Sequence, residues 1–345
     1  MSDSLPIDPE RFRIGVVGAG SWGTTLANLL AEKGFRVDLW VFEAEVAQQI
    51  RTFRENRAFL PGVVLSPNLS ASTDLARTAA GKDLLVVVVP SHVMRQTTLA
   101  MAAAVGPDTR VVSASKGIEN RTHLTMTGVL METLRISHDR VGVLSGPSFA
   151  AEVARRMPTT VTVASRNPGL ARLAQTAFAT PFFRVYTHED VTGVELGGSV
   201  KNVIAIAAGI VDGLGFGLNT RAALITRGMT EIRRLGLRLG ANPRTFTGLA
   251  GYGDLILTCT GDLSRNHTLG LKIGQGQRLA EVLAQTRSVA EGVHTSASVY
   301  NLSRQLDVEM PISHQTYRIL YEELPPKEAL HQLMTRNLKP ELDDE

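Results

Sequence analysis

The sequence predicts an α/β N-terminal domain built on a doubly wound sheet, followed by an all-α C-terminal domain. Short aliphatic runs alternate with helix-forming segments through the first half of the 345 residues, which is the pattern of successive β-α-β units. Beyond about residue 190 the patterns suit helices, and no convincing strand remains. We therefore place the first domain at residues 11–189 and the second, helical domain at residues 190–340.

The strands of the first domain are predicted from aliphatic runs that end in turns. Leu84–Val89 is closed by Pro90 and is expected to be a central parallel strand, because both of its faces are apolar. The helix predicted at Trp22–Lys33 can end at Gly34, a residue that adopts the left-handed conformation without strain. The predicted strands are Arg13–Val17, Val37–Val41, Leu84–Val89, Arg110–Ser113, Val141–Leu144, Thr159–Ala164 and Phe182–Tyr186.

The helices of the second domain are predicted from apolar spacing and from residues that favour helix ends. Asn219 can cap one helix, and Pro243 and Pro311 suit the first turn of others. The predicted helices are Val191–Val211, Arg221–Leu239, Leu279–Ala284, Thr295–Gln305 and Ser313–Glu322.

Composition is that of a soluble globular protein, with 43% hydrophobic and 20% charged residues. The net charge of +3 is small and the basic residues are scattered, which argues against nucleic acid as a partner. Cys259 is the only cysteine, which excludes internal disulfides and favours a reducing cytoplasm. The N-terminus lacks the apolar core of a signal peptide and no apolar run suits a membrane span, so we expect a cytoplasmic protein without membrane insertion.

The most informative motif is Gly18-Ala19-Gly20-Ser21-Trp22-Gly23, a G-x-G-x-x-G sequence between a predicted strand and a predicted helix. Gly18 permits the tight turn, Gly20 lets the backbone approach a pyrophosphate, and Gly23 allows close packing of helix on strand. The helix N-terminus adds N–H groups and a partial positive charge. Glu43 lies twenty residues beyond Gly23, where an acid can accept a hydrogen bond from a ribose hydroxyl. These features predict a Rossmann-type dinucleotide-binding domain rather than a plain strand–helix turn.

Later strand ends carry further candidates, because ligands of open α/β sheets bind beyond the carboxyl ends of the strands. Lys116 follows the strand that ends at Ser113 and is expected to face the cofactor crevice; the alternative is an ordinary solvated loop lysine. Gly146 and Ser148 follow the strand that ends at Leu144. Ser148 does not form the G-x-S-x-G elbow of a serine hydrolase.

Lys201 is the strongest catalytic candidate, because its helix is apolar nearly all round from Leu196 to Ala208. Lysine is rarely buried without a partner. Desolvation and a nearby cation would lower its pKa from about 10.4 towards the range of a general acid or base. The alternative is a lysine that extends along the helix and reaches solvent at its edge.

A third cluster lies further along the chain. Asp254 stands between glycines and an aliphatic run and is expected to be a partly buried carboxylate that needs a cationic or N–H partner, which Lys201 could be. Ser264, Arg265 and Asn266 offer hydroxyl, guanidinium and amide donors, which suits a phosphate group; a surface turn explains them equally well.

Other features are expected to be structural. Cys259 follows an aliphatic run and is expected to be a buried small hydrophobe rather than a nucleophile. His92 and His123 are expected to be loop or capping residues. The eight histidines show no metal-ligand spacing, so no metal is expected.

Together these residues resemble the NAD(P)-dependent glycerol-3-phosphate dehydrogenase family. The matching blocks keep their order and spacing from Ile14 to about Tyr321, which is nearly the whole chain. The blocks are Gly18–Gly23, Ser115–Gly117, Gly146–Ala150, Leu196–Asn202, Gly251–Leu255, Ser264–Asn266 and Val289–Gly292.

The resemblance implies a homodimer that reversibly reduces dihydroxyacetone phosphate to sn-glycerol 3-phosphate for phospholipid synthesis. It implies that Lys201 exchanges the proton of the C2 oxygen, with Lys116 and Asp254 as the other candidate catalytic residues. Lys116 would touch both substrate and cofactor. The implied substrate-binding residues are Lys116, Gly146, Ser148, Lys201, Asn202, Asp254, Ser264, Arg265 and Asn266. Besides the three glycines, Lys116 and Glu43, the implied cofactor-binding residues are Ser21, Trp22, Ala150, Arg265, Val289 and Glu291.

One departure from the family pattern bears on the choice of cofactor. Bacterial members often carry arginine or histidine just past the second strand, which suits the 2′-phosphate of NADP. Here Phe42 and Glu43 occupy that stretch, and Glu43 would repel a phosphate, so NAD is favoured over NADP. Arg36, Arg51 or Arg54 could compensate.

Two alternatives stay open. The first is another two-domain NAD(P) dehydrogenase acting on a hydroxyacid or a sugar nucleotide, although the sugar-nucleotide enzymes need a catalytic cysteine in a glycine-rich loop. The second is a noncatalytic nucleotide-binding sensor, which would have no need for Lys201 or Asp254.

Overall fold

An eight-stranded sheet forms the centre of the N-terminal part of the computed structural model, which describes residues 7–285 and 290–341. Its strands are β1 (Arg13–Val17), β2 (Arg36–Trp40), β3 (Leu69–Ser72), β4 (Leu84–Val87), β5 (Arg110–Ser113), β6 (Val141–Ser145), β7 (Thr159–Ala164) and β8 (Phe183–His188). They lie in the order β3-β2-β1-β4-β5-β6-β7-β8. The chain therefore winds outward in both directions from β1, and the switch point lies between β1 and β4.

The prediction of a doubly wound sheet is confirmed, with two differences in detail. β6 and β7 pair antiparallel, whereas the other neighbouring strands are parallel. β3 was not predicted, because its sequence Leu-Ser-Ala-Ser is short and half polar. β4 is buried at every residue between β1 and β5, as its aliphatic sequence required.

Seven helices accompany the sheet and eight follow it among the described residues. The first group is α1 (Ser21–Glu32), α2 (Ala44–Phe53), α3 (Leu75–Ala79), α4 (Met94–Met101), α5 (Met126–Leu134), α6 (Ala150–Ala154) and α7 (Pro168–Phe178). The second group is α8 (Val191–Gly213), α9 (Leu218–Arg238), α10 (Asp254–Thr260), α11 (Arg265–Gly274), α12 (Leu279–Ala284), α13 (Glu291–Gln305), α14 (Pro311–Tyr321) and α15 (Pro326–Met334). No strand is found in the described residues after 190, as predicted.

The helices α9, α13 and α14 begin two to four residues earlier than predicted, and one predicted cap is wrong. Asn219 does not cap α9, because the cap is Gly217 and Asn219 already lies inside the helix. Pro243 and Pro311 do occupy first turns, of a short 3-10 helix and of α14. Gly34 follows α1 with φ +96°, the left-handed conformation expected of it.

The chain forms two compact units, and each unit contains two separate segments of the sequence. The first comprises Met1–Lys116 and Leu124–Val194, and the second comprises Gly117–His123 and Glu195–Glu345. The short segment Gly117–His123 therefore belongs to the second unit, although its neighbours in sequence belong to the first.

Helix α8 is the core of the second unit. By length and composition alone it could cross a membrane, but its apolar window is entirely buried inside the protein. A Cβ added at Gly209 would lie 2.0 Å from the carbonyl oxygen of His267, and one at Gly270 would lie 2.0 Å from that of Ile206. The backbones of α8 and α11 are therefore in direct contact, which only glycine permits at these positions.

Candidate active site

The glycine-rich turn after β1 has a different geometry at each of its three glycines. Gly18 has φ +114°, and a Cβ there would lie 2.6 Å from the carbonyl oxygen of Val88. A Cβ at Gly23 would lie 1.9 Å from the carbonyl oxygen of Gly18, so α1 packs directly on the turn. A Cβ at Gly20 would meet no atom within 4 Å. Gly18 and Gly23 are thus required by the fold itself, whereas the space beside Gly20 is open.

That open space lies at the N-terminus of α1, where an anion is favoured. Gly20 is the N-cap residue and supplies no side-chain hydrogen bond, and the first turn contains no acidic residue. The N–H groups of this turn and the helix dipole together favour a diphosphate. Trp22 is half-buried with its ring centroid 6.4 Å from that of Phe183 in the same unit, so what it offers to the turn is its backbone N–H. The turn therefore fits the diphosphate of a dinucleotide cofactor.

The residues after β2 are exposed at the edge of the first unit. Phe42 is 78% exposed, and Glu43 is exposed at the N-cap of α2 without a side-chain capping bond. Because β2 neighbours β1 in the sheet, its carboxyl end lies on the same edge as the glycine-rich turn. Glu43 thus has a carboxylate in solvent at this edge, as an acid that accepts from a ribose hydroxyl requires.

Several predicted residues of the first unit converge on one backbone oxygen. Lys116 Nζ lies 3.4 Å from the carbonyl oxygen of Gly146, and Ser148 Oγ donates to the same oxygen at 2.9 Å. Gly146 has φ +139°, and a Cβ added there would lie 3.0 Å from the Cα of Val161. Ala150 begins α6. Lys116 is thus half-buried and directed along the carboxyl end of the sheet, which is not the environment of an ordinary loop lysine.

In the second unit, Lys201 and Asp254 form a buried ion pair. Lys201 is 6% exposed and Asp254 is 1% exposed. Lys201 Nζ lies 2.6 Å from Asp254 Oδ1 and donates to Thr258 Oγ1 at the same distance of 2.6 Å. Thr258 Oγ1 in turn donates to the backbone oxygen of Asp254 at 2.6 Å. The prediction that Lys201 partners Asp254 is confirmed, and an anion rather than a second cation contacts the ammonium within this unit.

A close backbone contact one turn away aligns this pair. A Cβ at Gly197 would lie 2.4 Å from the carbonyl oxygen of Ala250, so α8 touches the π-helical turn Leu249–Gly253 there. Lys201 stands four residues after Gly197, and Asp254 stands four residues after Ala250. Residues four apart share a helix face, so the contact at Gly197 brings the two side chains together on the next turn.

Thr258 was not predicted as part of the site. It lies four residues after Asp254 on α10, so its hydroxyl shares the face that carries the carboxylate. That spacing was the available signal. A threonine in a helix usually bonds its own backbone, which gives no hint that it also faces a lysine.

Ser264 and Asn266 hold the start of α11 in place. Ser264 Oγ caps the helix by accepting from His267 N at 3.2 Å. Asn266 Oδ1 accepts from Gly292 N at 2.9 Å. A Cβ at Gly292 would lie 2.6 Å from the backbone oxygen of Asn202, so α8, α11 and α13 meet at this glycine. These residues are buried helix-end groups and do not form a surface turn.

Arg265 is the exposed member of the cluster. Desolvation by surrounding protein atoms lowers the pKa of its guanidinium, and the charge of Glu291 opposes that shift. Arginine remains protonated across the working range of proteins, so Arg265 offers a permanent cation beside two buried polar residues. Val289, also predicted at the cofactor site, lies outside the described residues.

The residues expected to be structural have no catalytic features. Cys259 is buried, and burial raises the pKa of its thiol to about 12, with Lys201 opposing the shift, so the reactive thiolate is disfavoured. His92 lies in a 3-10 turn, and His123 lies in a loop where its Nδ1 is 3.0 Å from Gln305 Oε1.

Comparison with known proteins gives a consistent match over both parts of the chain. The family model described as NAD-dependent glycerol-3-phosphate dehydrogenase N-terminus matches residues 13–171, and its C-terminus counterpart matches residues 190–331. A glycerol-3-phosphate dehydrogenase (NAD(P)+) from Syntrophobacter fumaroxidans is 56% identical over 96% of this chain and 97% of its own. A protein of the same name from Geobacter sulfurreducens is 57% identical over 95% of this chain and 98% of its own. The crystal structure of glycerol-3-phosphate dehydrogenase from Coxiella burnetii matches with a TM-score of 0.91 at 39% identity, covering 95% of this chain and 100% of that one.

Proposed function

The chain belongs to the NAD-dependent glycerol-3-phosphate dehydrogenase family, and we infer from this that it reversibly reduces dihydroxyacetone phosphate to sn-glycerol 3-phosphate with NADH or NADPH. The observation that carries the chemical assignment is the buried Lys201–Asp254 pair. A buried ion pair contributes little to stability compared with apolar residues of the same size, so its cost in the core of the second unit is best explained by chemistry.

Lys201 is the proton donor in this proposal. When bound, NADH or NADPH would supply a hydride to C2, and negative charge would then develop on the C2 oxygen. The Lys201 ammonium gives its proton to that oxygen, and in the reverse direction the amine takes it back. Asp254 and Thr258 hold the nitrogen in position before transfer. Lys116 is proposed to add positive charge near the same oxygen.

The substrate phosphate is assigned to the start of α11. Asn266 uses its carbonyl oxygen to accept from Gly292, which orients its NH2 group as the end that can donate to a phosphate. Ser264 keeps its hydroxyl proton while its oxygen caps the helix, and Arg265 brings the charge. Phosphate binding by these donors would fix the position of the substrate's C2 relative to Lys201, which accelerates the chemistry by orientation.

The remaining proposed roles concern the two domains and individual binding residues. We propose that residues 11–189 form the dinucleotide-binding domain and residues 190–340 the substrate-binding domain, with a few residues of each domain contacting the other ligand. Gly146, Ser148 and Asn202 would contact substrate, and Ala150, Val289 and Glu291 would contact cofactor. We also propose a cytoplasmic homodimer that supplies phospholipid synthesis; the single cysteine and the family relationship support this.

The test of the proposed function is a spectrophotometric assay of NADH oxidation by the purified protein. Dihydroxyacetone phosphate is expected to support turnover, whereas ketopantoate and 2-keto acids are expected to give at least a hundredfold lower kcat/KM. A preference for ketopantoate or a 2-keto acid would assign the chain to another reaction. NADH binding without turnover of any of these substrates would favour a sensor.

A further inference from the structure

Two buried side chains hold the peptide group between Ala19 and Gly20. Asn56 Nδ2 donates to the carbonyl oxygen of Ala19 at 2.9 Å, and Thr24 Oγ1 donates to the same oxygen at 3.1 Å. Asn56 Nδ2 also donates to Thr24 Oγ1 at 2.8 Å. Both side chains are 0% exposed. The carbonyl therefore has two donors that fix its direction, although it lies in the middle of a glycine-rich turn.

The orientation of Asn56 is set by a bond at its other end. Asn56 Oδ1 accepts from Phe59 N at 3.1 Å, so the NH2 group must face the turn. The backbone oxygen of Asn56 also accepts from Leu60 N at 2.8 Å, which closes a tight loop between α2 and β3. Asn56 thus lies 37 residues beyond Ala19 in sequence, but it is held rigidly against the turn.

The geometry of the peptide bond transmits this restraint to the open side. In a trans peptide the C=O and the following N–H point in opposite directions, and the described residues contain no cis peptide. Because the Ala19 carbonyl points towards Asn56 and Thr24, the N–H of Gly20 points away from them. Gly20 is also the glycine whose missing Cβ leaves open space.

We propose that Asn56 and Thr24 are positioning residues for the cofactor: they lock the Ala19–Gly20 peptide so that the Gly20 N–H faces the diphosphate. They touch neither cofactor nor substrate in this assignment, which rests on the proposed dinucleotide site at the turn. Asparagine suits the role because its amide donates without adding charge. An aspartate at position 56 would set an acceptor against the Ala19 carbonyl and a negative charge near the diphosphate.

The chain offers a matched control for loss of packing. Asn28 is a second buried asparagine that ties α1 to the same loop region, since its Oδ1 accepts from Ser66 N at 2.7 Å. It does not contact the turn in the described structure; its Nδ2 donates to Glu32 Oε1 at 3.1 Å. Asn28→Ala should therefore loosen the loop about as much as Asn56→Ala while leaving the Ala19–Gly20 peptide held.

The experiment measures the Kd of the full-length protein for NADH by fluorescence titration, and for ADP-ribose by displacement. Asn56→Ala and Thr24→Val are expected to raise both Kd values at least tenfold. Thr24→Ser keeps the hydroxyl. For this variant and for Asn28→Ala, both Kd values should stay within threefold of those of the parent protein. The KM for dihydroxyacetone phosphate at saturating NADH should change less than threefold in all four variants.

Gly20→Ala separates failure of this inference from failure of the proposed site. If Gly20→Ala weakens NADH binding while Asn56→Ala and Thr24→Val do not, the positioning role is wrong and the dinucleotide site stands. If Gly20→Ala also binds NADH normally, the site assignment itself is wrong. Equal losses of affinity in Asn28→Ala and Asn56→Ala would show general loosening and overturn the inference. Should Asn56→Ala fail to fold, the Thr24→Val and Thr24→Ser pair decides alone.

Discussion

Lys201 Nζ contacts Asp254 Oδ1 at 2.6 Å in the core of the second unit, where the two residues are 6% and 1% exposed. The charges belong to different helices, α8 and α10, and are separated by 53 residues in sequence. Removing one partner of such a pair leaves the other buried without compensation, so their roles in catalysis and in stability must be tested separately.

Replacing Lys201 by alanine should abolish proton donation to the C2 oxygen. We expect kcat to fall by roughly 10²- to 10⁴-fold, the usual contribution of general acid catalysis. The Kd for NADH, measured by fluorescence, should stay within threefold because Lys201 is assigned no cofactor contact. The double variant Lys201→Met with Asp254→Asn removes the uncompensated charge and serves as the folding control. Turnover within tenfold of the parent protein would contradict the assignment.

Thr258 should matter through the position of the Lys201 nitrogen. Thr258→Val keeps the shape of the side chain but removes the hydroxyl that accepts from Lys201. We expect a loss of kcat of roughly 10- to 100-fold with little change in the Kd for NADH, because a hydrogen bond between a neutral hydroxyl and a charged group contributes about 1.5–3 kcal/mol. Thr258→Ser, which restores the hydroxyl, should recover most of the activity. If valine and serine behave alike, the hydroxyl has no part in positioning.

Two glycines of the turn, Gly20 and Gly23, should differ in their effect on stability. Gly23→Ala would place a Cβ 1.9 Å from the carbonyl oxygen of Gly18 and is expected to lower the free energy of unfolding by several kcal/mol. Gly20→Ala meets no neighbour and has φ −64°, so stability should be unchanged or rise by about 0.4–1 kcal/mol. Urea denaturation measures both effects. A Gly20→Ala variant as unstable as Gly23→Ala would show that the turn is not open on that side.

Glu231 should make stability depend on pH. Its carboxylate is 2% exposed and accepts from Ile312 N at 2.6 Å and from Ser313 N at 3.0 Å, capping α14 from α9. Burial raises the pKa of Glu231 to about 7, against the opposing effects of the Ile312 and Ser313 hydrogen bonds and the Arg234 charge. A carboxyl group with a raised pKa binds its proton more tightly in the folded state. Its contribution to stability is therefore present at low pH and is lost as the pH rises from about 4.5 to about 7.

The measurement for Glu231 is urea denaturation at pH 5 and pH 8. The free energy of unfolding of the parent protein minus that of Glu231→Gln should fall by ~2 kcal/mol between these values, since each pKa unit corresponds to about 1.36 kcal/mol. The exposed Glu322→Gln serves as the control and should show no such trend. A difference that is constant or rises with pH would contradict the raised pKa.

NADH is expected to be preferred over NADPH. Glu43 is exposed just past β2, where it can accept from a ribose hydroxyl and would repel a 2′-phosphate. Arg36 cannot compensate, because it begins β2 at the end of the sheet remote from the ligand edge. Arg54 donates to the carbonyl oxygens of Leu65 and Leu69, at 3.3 Å and 2.9 Å. Arg51 is the remaining candidate.

The cofactor preference is checked by kcat/KM for each nucleotide in the parent protein, Glu43→Ala and Arg51→Ala. Glu43→Ala should raise kcat/KM for NADPH several-fold and lower that for NADH. A tenfold preference of the parent protein for NADPH would overturn the expectation. Loss of that preference in Arg51→Ala would identify the compensating arginine.

Much of the fold follows from local patterns in the sequence. The aliphatic run of β4 indicates its environment because a strand buried on both faces admits only apolar residues. The G-x-G-x-x-G motif indicates a tight turn because a backbone with φ above zero favours glycine. The helices not among those predicted from the sequence are α2, α3, α4, α5, α6, α10, α11 and α15. α10 follows a π-helical turn that interrupts the usual spacing of apolar residues, so its pattern was obscured.

What the sequence determined by itself is which residues could carry the chemistry: a lysine in an apolar helix, an aspartate that needs a cationic partner, and glycines in a turn suited to a phosphate. Only tertiary structure decided which groups meet. Three contacts join segments that are distant in the chain: Thr258 with Lys201, Asn56 with the Ala19 carbonyl, and Glu231 with the start of α14. The first of these contacts depends on the close backbone approach of Gly197 to Ala250. Such contacts are set by how helices pack in three dimensions. Spacing along one segment shows which residues share a helix face, as Asp254 and Thr258 do, but not which distant residue that face meets.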